Sequence, residues 1–334
     1  MIFVNKLNNI VKLINSQGYT LEKHVKELFN KLPQDLEETA KAHGALIRLR
    51  NIKSAYELIL ALFIYASANV SQKILAANMA IMGFANISDQ AWQKKIIRCE
   101  SWLAHLMKEM MPKISKKGKA PFEAKSGKKL KILDGSIILQ CGTKSKRGGE
   151  TLRMHLCYNL TDGHMDHVKV TDKHTAEGVS MFEIEPNTIY MADALYGKGK
   201  HAAHIVSKKA DAIFRVTPNH LSLFEDELGN NKIDMAQKLE STKADLIDFG
   251  CFVFAWKKKY IKVRIIASRL PEEKAALVRE CKMKGAKKRQ TKDMRPQTLI
   301  YAGWTILMTT LDSAHSADEI LHLYRQRWQI ESFV

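Results

Sequence analysis

Three carboxylates in this sequence occupy positions where a lone charged side chain would be unfavourable. Asp134 interrupts the apolar run LKILDGSIILQC, Asp193 ends the apolar run NTIYMADALYG, and Glu331 lies on a predicted C-terminal helix, SADEILHLYRQRWQIESF. Burying a carboxylate costs free energy unless the group is paired or bound to a cation. If the two strands are neighbours and the helix packs over them, the three acids converge. Their hard oxygen atoms would then suit Mg²⁺ or Mn²⁺.

A site of this kind would support phosphodiester chemistry. Two divalent cations about 3.5–4 Å apart can activate a nucleophile and stabilise the leaving oxygen. Each strand acid also has an ordinary structural interpretation, since Asp134 could begin an Asp-Gly turn and Asp193 could cap the following helix. The residues alone leave both interpretations open.

The predicted C-terminal helix carries a polar stripe. Tyr324, Arg327 and Glu331 are spaced at i, i+3 and i+7, which places them on one helical face in line with Ile320. Ionisable residues in such a seam indicate a partner, a metal ion or solvent. The simpler alternative is a solvated helix end in which Arg327 and Glu331 form an i,i+4 ion pair.

The distribution of charge indicates the class of partner. The chain has 334 residues and a net charge of +18, with +7 in residues 108–131 and +11 in residues 257–295. Concentrated basic charge is typical of proteins that bind polyanions, and neither segment has the pattern of a membrane-surface helix. We therefore predict a nucleic-acid partner, with Lys257, Lys258 and Lys259 among the contacts.

Composition excludes several other classes of protein. The longest apolar run, Leu58 to Ala68, is too short to span a bilayer, and the N-terminal residues do not suit a signal peptide. The five cysteines are far apart and form no C-x-x-C pair, which indicates reduced thiols without a zinc knuckle.

The periodicity of apolar residues divides the chain into a helical front and a mixed α/β remainder. In the front, two predicted helices around Gly83 could form a helix-turn-helix or a plain helical hairpin. Later come a β-hairpin at Asp162-Gly163, a helical segment at 174–183, further strands and the final helix. This order predicts a mixed sheet with three antiparallel strands at one side.

Three segments resemble the acidic motifs of the DDE transposases of bacterial insertion sequences. The segments are ILDGS, MADALYGKG and LYRQRWQIES, and the resemblance extends over nearly the whole chain. The most similar group is the insertion-sequence-four family, whose last motif is Tyr, two residues, Arg, three residues, Glu, six residues, Lys. Tyr324, Arg327 and Glu331 fit that spacing.

The resemblance implies a ribonuclease-H-like mixed α/β sheet with flanking helices, a helical N-terminal domain and a mainly β insertion. It implies that Asp134, Asp193 and Glu331 bind two Mg²⁺ or Mn²⁺ ions. Tyr324 and Arg327 would hold DNA phosphate near the cleaved end. The expected partner is double-stranded DNA, both transposon ends and target, with a homodimer as one arrangement on DNA. The expected location is the bacterial cytoplasm, on the nucleoid when DNA is bound.

The resemblance also suggests how the chain is divided. The expected divisions are a helical DNA-binding region (1–112), a basic linker (113–129), the first part of the catalytic core (130–217), a basic β-rich insertion (218–296) and a last core strand and helix (297–334).

The sequence departs from the family motif at its C-terminus. The motif's Lys would fall at position 338, whereas this sequence ends at Val334. We therefore expect a C-terminally truncated transposase with impaired cleavage. The alternative is a non-catalytic DNA-binding protein that inhibits transposition. A simple ribonuclease-H-type nuclease is a third interpretation, but it would not need so large a basic insertion.

Overall fold

The computed structural model describes residues 29–67, 70–115, 127–139, 151–172, 174–288 and 295–332. The chain divides into two compact units, one of Met1–Gly118 with Ile137–Leu152 and one of Lys119–Ser136 with Arg153–Val334. Most of the predicted basic linker, residues 116–126, lies outside the described residues, and so does the side chain of Glu331. The five-part division expected from the sequence therefore stays a prediction.

The first unit is built from helices. They are α1 (Leu36–Ala42), α2 (Ala55–Ser67), α3 (Gln72–Ile81), α4 (Asp89–Arg98) and α5 (Glu100–Ser115). The hydroxyls of Ser71 and Ser88 each accept a hydrogen bond from a first-turn amide, which fixes the starts of α3 and α4. Trp92 and Trp102 are fully buried in the core of this unit. No helix among the described residues is long and apolar enough to cross a membrane.

Ten strands of the described residues form one mixed sheet. The strands are β1 (Lys129–Leu139), β2 (Thr151–Asn159), β3 (His164–Asp172), β4 (Thr188–Ala192), β5 (Asp211–Arg215), β6 (Leu223–Phe224), β7 (Lys232–Ile233), β8 (Leu246–Trp256), β9 (Lys259–Arg269) and β10 (Trp304–Thr309). Their order is β3-β2-β1-β4-β5-β10-β9-β8-β6-β7. β1, β4 and β5 are parallel neighbours, and β10 pairs antiparallel with both β5 and β9. This is the predicted fold class, a mixed α/β sheet with flanking helices that is consistent with a ribonuclease-H-like fold.

Buried clusters lie on both faces of the sheet. The helices that follow β4 are α6 (Gly199–Ser207), α7 (Met235–Ser241), α8 (Glu272–Lys288), α9 (Pro296–Tyr301) and α10 (Ala317–Arg325). Tyr190 of β4 packs in the same cluster as Ile205 of α6, whereas Met191 packs in the opposite cluster with Ile320 of α10. Alternate side chains of a strand point to opposite faces, so β4 is buried on both. That burial explains its unbroken apolar sequence, TIYMA.

Two predicted helical segments differ from the structure. The segment at 174–183 is mostly irregular, because Gly178 is extended and only Val179–Met181 forms a 3₁₀ turn. The helix predicted from Ser316 does begin there, since its hydroxyl accepts a hydrogen bond from the amide of Glu319. The α-helix ends at Arg325, however, and a 3₁₀ helix follows over Gln326–Ser332. A 3₁₀ helix has three residues per turn, so the predicted i, i+7 alignment does not continue.

Two predicted strand or turn segments also contain helices. The stretch 218–296, predicted as polar turns around two strands, contains β8 and β9 as expected, but it also contains α7 and the 17-residue α8. The run TLIYAGWTILMTTL was predicted as one strand and divides into α9 and β10. Pro296 lies in the first turn of α9, where its fixed φ favours a helix start.

Candidate active site

Asp134 lies in β1, and Asp193 directly follows β4, the parallel neighbour of β1. The register pairs Leu133 of β1 with Ala192 of β4, so the next residue along each strand is one of the two aspartates. Neighbouring strands are about 4.8 Å apart. Both side chains are partly buried. The sequence analysis assumed that these two strands are neighbours. The structure confirms this, because β1 pairs with β4.

Asp134 does not begin a turn, and Asp193 does not cap the following helix. β1 runs without interruption through Lys129–Leu139, so Asp134 begins no turn. The Oδ1 atom of Asp193 accepts a hydrogen bond of 2.9 Å from the amide of Leu195. Helix α6 begins later, with Lys198 at its N-cap position. Asp193 therefore stabilises the turn that follows its own strand and does not cap α6.

Glu177 is a further carboxylate of this site that the sequence analysis missed. Its side chain is 9% exposed, and its Oε1 atom lies 3.5 Å from Nη1 of Arg153. Burial raises the pKa of Glu177; Arg153 opposes this shift, and the negative charges of Asp193 and Asp134 add to it. Glu177 follows β3 in an irregular segment, HTAEGVS, where nothing distinguishes it from a solvated surface acid.

Tyr196 completes the buried surroundings of these acids. Its side chain is fully buried, and its hydroxyl has no hydrogen-bond partner among the described residues. Burial raises the pKa of Tyr196, and the charges of Glu177, Asp134 and Asp193 raise it further. The hydroxyl therefore stays protonated and lies within electrostatic range of all three carboxyls.

The donor set suits a hard divalent cation. Carboxylate oxygens are the ligands that Mg²⁺ and Mn²⁺ prefer, and a bound cation relieves the repulsion between neighbouring carboxylates. No group of three His, Cys, Asp or Glu side chains with metal-binding geometry occurs in the part of the chain that the structure describes, which does not include the Glu331 side chain. Asp134 and Asp193 thus supply two carboxylate ligands of the type that a divalent cation prefers. A third ligand from Glu331 stays a prediction.

Tyr324 of α10 and Arg327 of the 3₁₀ helix that follows it lie near this region. Both are buried, and the guanidinium carbon of Arg327 lies 5.8 Å from the ring centre of Tyr324 and 4.8 Å from that of Trp328. Burial raises the pKa of Tyr324; the positive charges of Arg327 and Arg215 oppose this shift, and Asp193 adds to it. The end of α10 therefore lies within electrostatic range of Asp193.

A basic cleft of about 640 Å³ opens beside Tyr324 and Arg327. Its charged and aromatic lining residues are Arg215, Arg269, Lys274, Tyr324, Arg325, Arg327 and Trp328. Five cations around one concave surface favour a polyanionic ligand, and guanidinium groups bind phosphate through paired hydrogen bonds. The sequence identified Arg327 but not Arg215 or Arg269, because these lie at strand ends that only the fold brings to one cleft.

Two glycines hold the segment after Asp193 against the rest of the sheet. A Cβ atom at Gly197 would lie 2.4 Å from the carbonyl oxygen of Arg215, and one at Gly199 would lie 2.2 Å from that of Phe254. Both distances are shorter than any real Cβ contact with backbone. The glycines of MADALYGKG therefore permit the close approach of β5 and β8 to the acidic turn.

Lys257, Lys258 and Lys259 lie at the tip of the β8–β9 hairpin and are exposed. Lys257 and Lys258 both have positive φ, which is the geometry of a tight two-residue hairpin turn. The amino group of Lys259 lies 5.7 Å from the ring centre of the exposed Trp256. The hairpin thus presents a compact, positively charged tip with an aromatic side chain beside it.

The sequence of this chain is similar to those of known proteins. The family described as "Transposase DDE domain" matches residues 125–334. InsL of insertion sequence element IS186A from Escherichia coli strain K12 is 26% identical over 306 residues, which cover 90% of this chain and 80% of that protein. The transposase for insertion sequence element IS421 from Escherichia coli is 26% identical over 307 residues, with the same coverage of both chains.

Proposed function

This chain belongs to the transposase DDE domain family, and from that membership we propose that it cleaves the ends of an insertion sequence and joins them to target DNA. The observation that carries the proposal is the register that puts Asp134 beside Asp193 on parallel strands. Membership of the insertion-sequence-four group is part of the proposal, supported by the spacing of Tyr324, Arg327 and Glu331.

The two aspartates would hold Mg²⁺ or Mn²⁺ together with Glu331. When bound, two such cations activate the attacking oxygen and stabilise the leaving oxygen of a phosphodiester. Asp134 lies within β1 and Asp193 directly follows β4, so the hydrogen bonds between these neighbouring strands would hold both backbones in place. Water would be the first nucleophile, and the freed 3′-hydroxyl would attack target DNA next.

The DNA would approach along the basic cleft. Arg215, Arg269 and Arg327 line it, and the aromatic rings of Tyr324 and Trp328 stand beside the Arg327 guanidinium. Arg327 is buried and its guanidinium is packed against these rings, so it would meet a phosphate with little loss of side-chain entropy. The cleft would thereby hold the scissile strand while the acids act on it.

A cleavage assay tests this function. The full chain is incubated with plasmid DNA that carries the ends of its own flanking element, in Mg²⁺, in Mn²⁺ or in EDTA, and the products are mapped. We expect strand breaks at the element ends in either cation and none in EDTA. Binding to the ends without any cleavage would instead indicate a non-catalytic DNA-binding protein, and cleavage at random sites would indicate a simple nuclease.

The hairpin lysines should contribute sequence-independent affinity. Replacing Lys257, Lys258 and Lys259 by Gln should weaken binding to all duplexes alike, because the tip is exposed and contacts between lysine and phosphate do not depend on base sequence. The slope of log affinity against log salt should flatten by about 0.9 for each phosphate that the variant no longer neutralises. Replacing the same lysines by Arg keeps the charge and should keep the slope. An unchanged slope in the Gln variant would mean that the tip faces solvent in the complex.

A further inference from the structure

The carboxyl group of Glu177 packs directly over the backbone that follows Asp134. A Cβ atom built on Gly135 would lie 2.5 Å from Cδ and 2.8 Å from Oε2 of Glu177. These distances are shorter than real Cβ contacts, so a larger residue at position 135 would force the Glu177 carboxyl group to shift. Glu177 therefore lies against the strand segment that carries the first aspartate.

Arg153 of β2 holds Glu177 in this place. The Nη1 atom of Arg153 lies 3.5 Å from Oε1 of Glu177, and it donates a 3.2 Å hydrogen bond to the carbonyl oxygen of Thr175. Both side chains are largely buried, with exposures of 21% for Arg153 and 9% for Glu177. The irregular segment before Val179–Met181 is thus tied to β2 at two points.

Glu177 lies within electrostatic range of the two aspartates. Burial raises the pKa of Glu177, and the negative charges of Asp193 and Asp134 add to this shift. The positive charges of Arg153 and Lys198 oppose it. Like charges within electrostatic range repel each other, and a bound cation relieves that repulsion. The buried Tyr196 hydroxyl, which has no hydrogen-bond partner among the described residues, interacts with the same three carboxyls. The Tyr196 hydroxyl and the neighbouring carboxyl groups suit a cation with its bound water.

We propose that Glu177 is a positioning residue of the acidic site, which fixes the Asp134–Gly135 backbone and supplies negative charge that attracts the divalent cation. This inference rests on the proposed metal-dependent function. Glu177 acts through Asp134 and needs no direct bond to the metal. Groups that hold metal ligands in place change metal affinity by about 10–100-fold when they are replaced.

Direct titration of the full chain with Mn²⁺, followed by electron paramagnetic resonance of the free ion, tests the proposal without any DNA. Glu177→Gln keeps the size of the side chain and removes its charge, so we expect Mn²⁺ affinity to fall about 10–100-fold. The matched control is Glu183→Gln, at an exposed acid shortly after the Val179–Met181 turn, and it should leave Mn²⁺ affinity unchanged. Glu177→Asp, which keeps the charge, should recover part of the lost affinity.

Thermal stability separates positioning from a purely structural role. Glu177→Gln should leave the melting temperature unchanged or raise it, because it removes like-charge repulsion. A lower melting temperature with wild-type Mn²⁺ affinity would overturn the proposal. Gly135→Ala should lower Mn²⁺ affinity, because its Cβ would displace the Glu177 carboxyl group, and it should change the melting temperature little, since the end of a flexible side chain can shift. Unchanged Mn²⁺ affinity in Gly135→Ala would overturn the packing contact on which the proposal depends.

The same titration distinguishes failure of this inference from failure of the proposed function. If the unmodified chain binds Mn²⁺, Asp134→Asn loses binding and Glu177→Gln does not, only the role of Glu177 is wrong. If the unmodified chain binds no Mn²⁺ at all, the metal-dependent function fails and the inference fails with it.

Discussion

Replacing Asp134 or Asp193 by Asn should reduce Mg²⁺-dependent cleavage of the element ends by at least about 10³-fold, or about 4 kcal/mol of transition-state stabilisation. The reason is that each substitution removes one of two adjacent anionic oxygen donors, which an Asn amide does not replace for a hard cation. DNA affinity should stay similar or become slightly tighter, since one carboxylate fewer repels the phosphates. The measurement is a nicking assay beside a binding titration.

The matched control for these two variants is Asp318→Asn. Asp318 is an exposed acid in the first turn of α10, so its replacement changes the net charge by the same amount away from the acidic pair. Cleavage by this variant should equal that of the unmodified chain. Wild-type cleavage by Asp134→Asn or Asp193→Asn would remove that residue from the active site. A parallel loss of DNA binding would mean that the substitution had disturbed the fold.

Gly199→Ala should destabilise the second unit by about 1–3 kcal/mol, the usual cost of forcing an extra carbon into a packed site. The added Cβ would lie 2.2 Å from the backbone carbonyl oxygen of Phe254, so β8 and the start of α6 must move apart. That movement also displaces the segment after Asp193, and cleavage should fall along with stability. Thermal unfolding followed by circular dichroism measures the first effect, and the nicking assay measures the second.

Gly250→Ala is the control for this effect because it lies in β8, the strand that approaches Gly199. No atom lies within 4 Å of a Cβ built on Gly250. Replacing a strand glycine in open space should be neutral or stabilising by about 0.5–1 kcal/mol, since alanine loses less backbone entropy on folding. Equal stability of the Gly199→Ala and Gly250→Ala variants would show that the β8–α6 contact is looser than the structure indicates.

Local sequence determined the strands that carry the two aspartates. TIYMA is an unbroken apolar run because β4 is buried on both faces of the sheet. The strand could therefore be predicted from its apolar residues alone. The same holds for the start of α10, where Ser316 caps the first turn. Local sequence did not determine the structure at 174–183, where the chain is extended at Gly178 and only Val179–Met181 forms a 3₁₀ turn. It also failed to predict α8, whose polar composition gave no apolar period.

Tertiary structure alone decided which residues meet. The sequence could name Asp134 and Asp193 because a charge inside an apolar strand is locally anomalous, but their adjacency depends on a parallel register between strands more than fifty residues apart. Glu177 carries no local signal, since an acid in an irregular segment is ordinarily solvated. Its place against Gly135 follows from the path of the chain after β3 and from the side chain of Arg153. Long-range packing, which no short sequence window contains, made it part of the site.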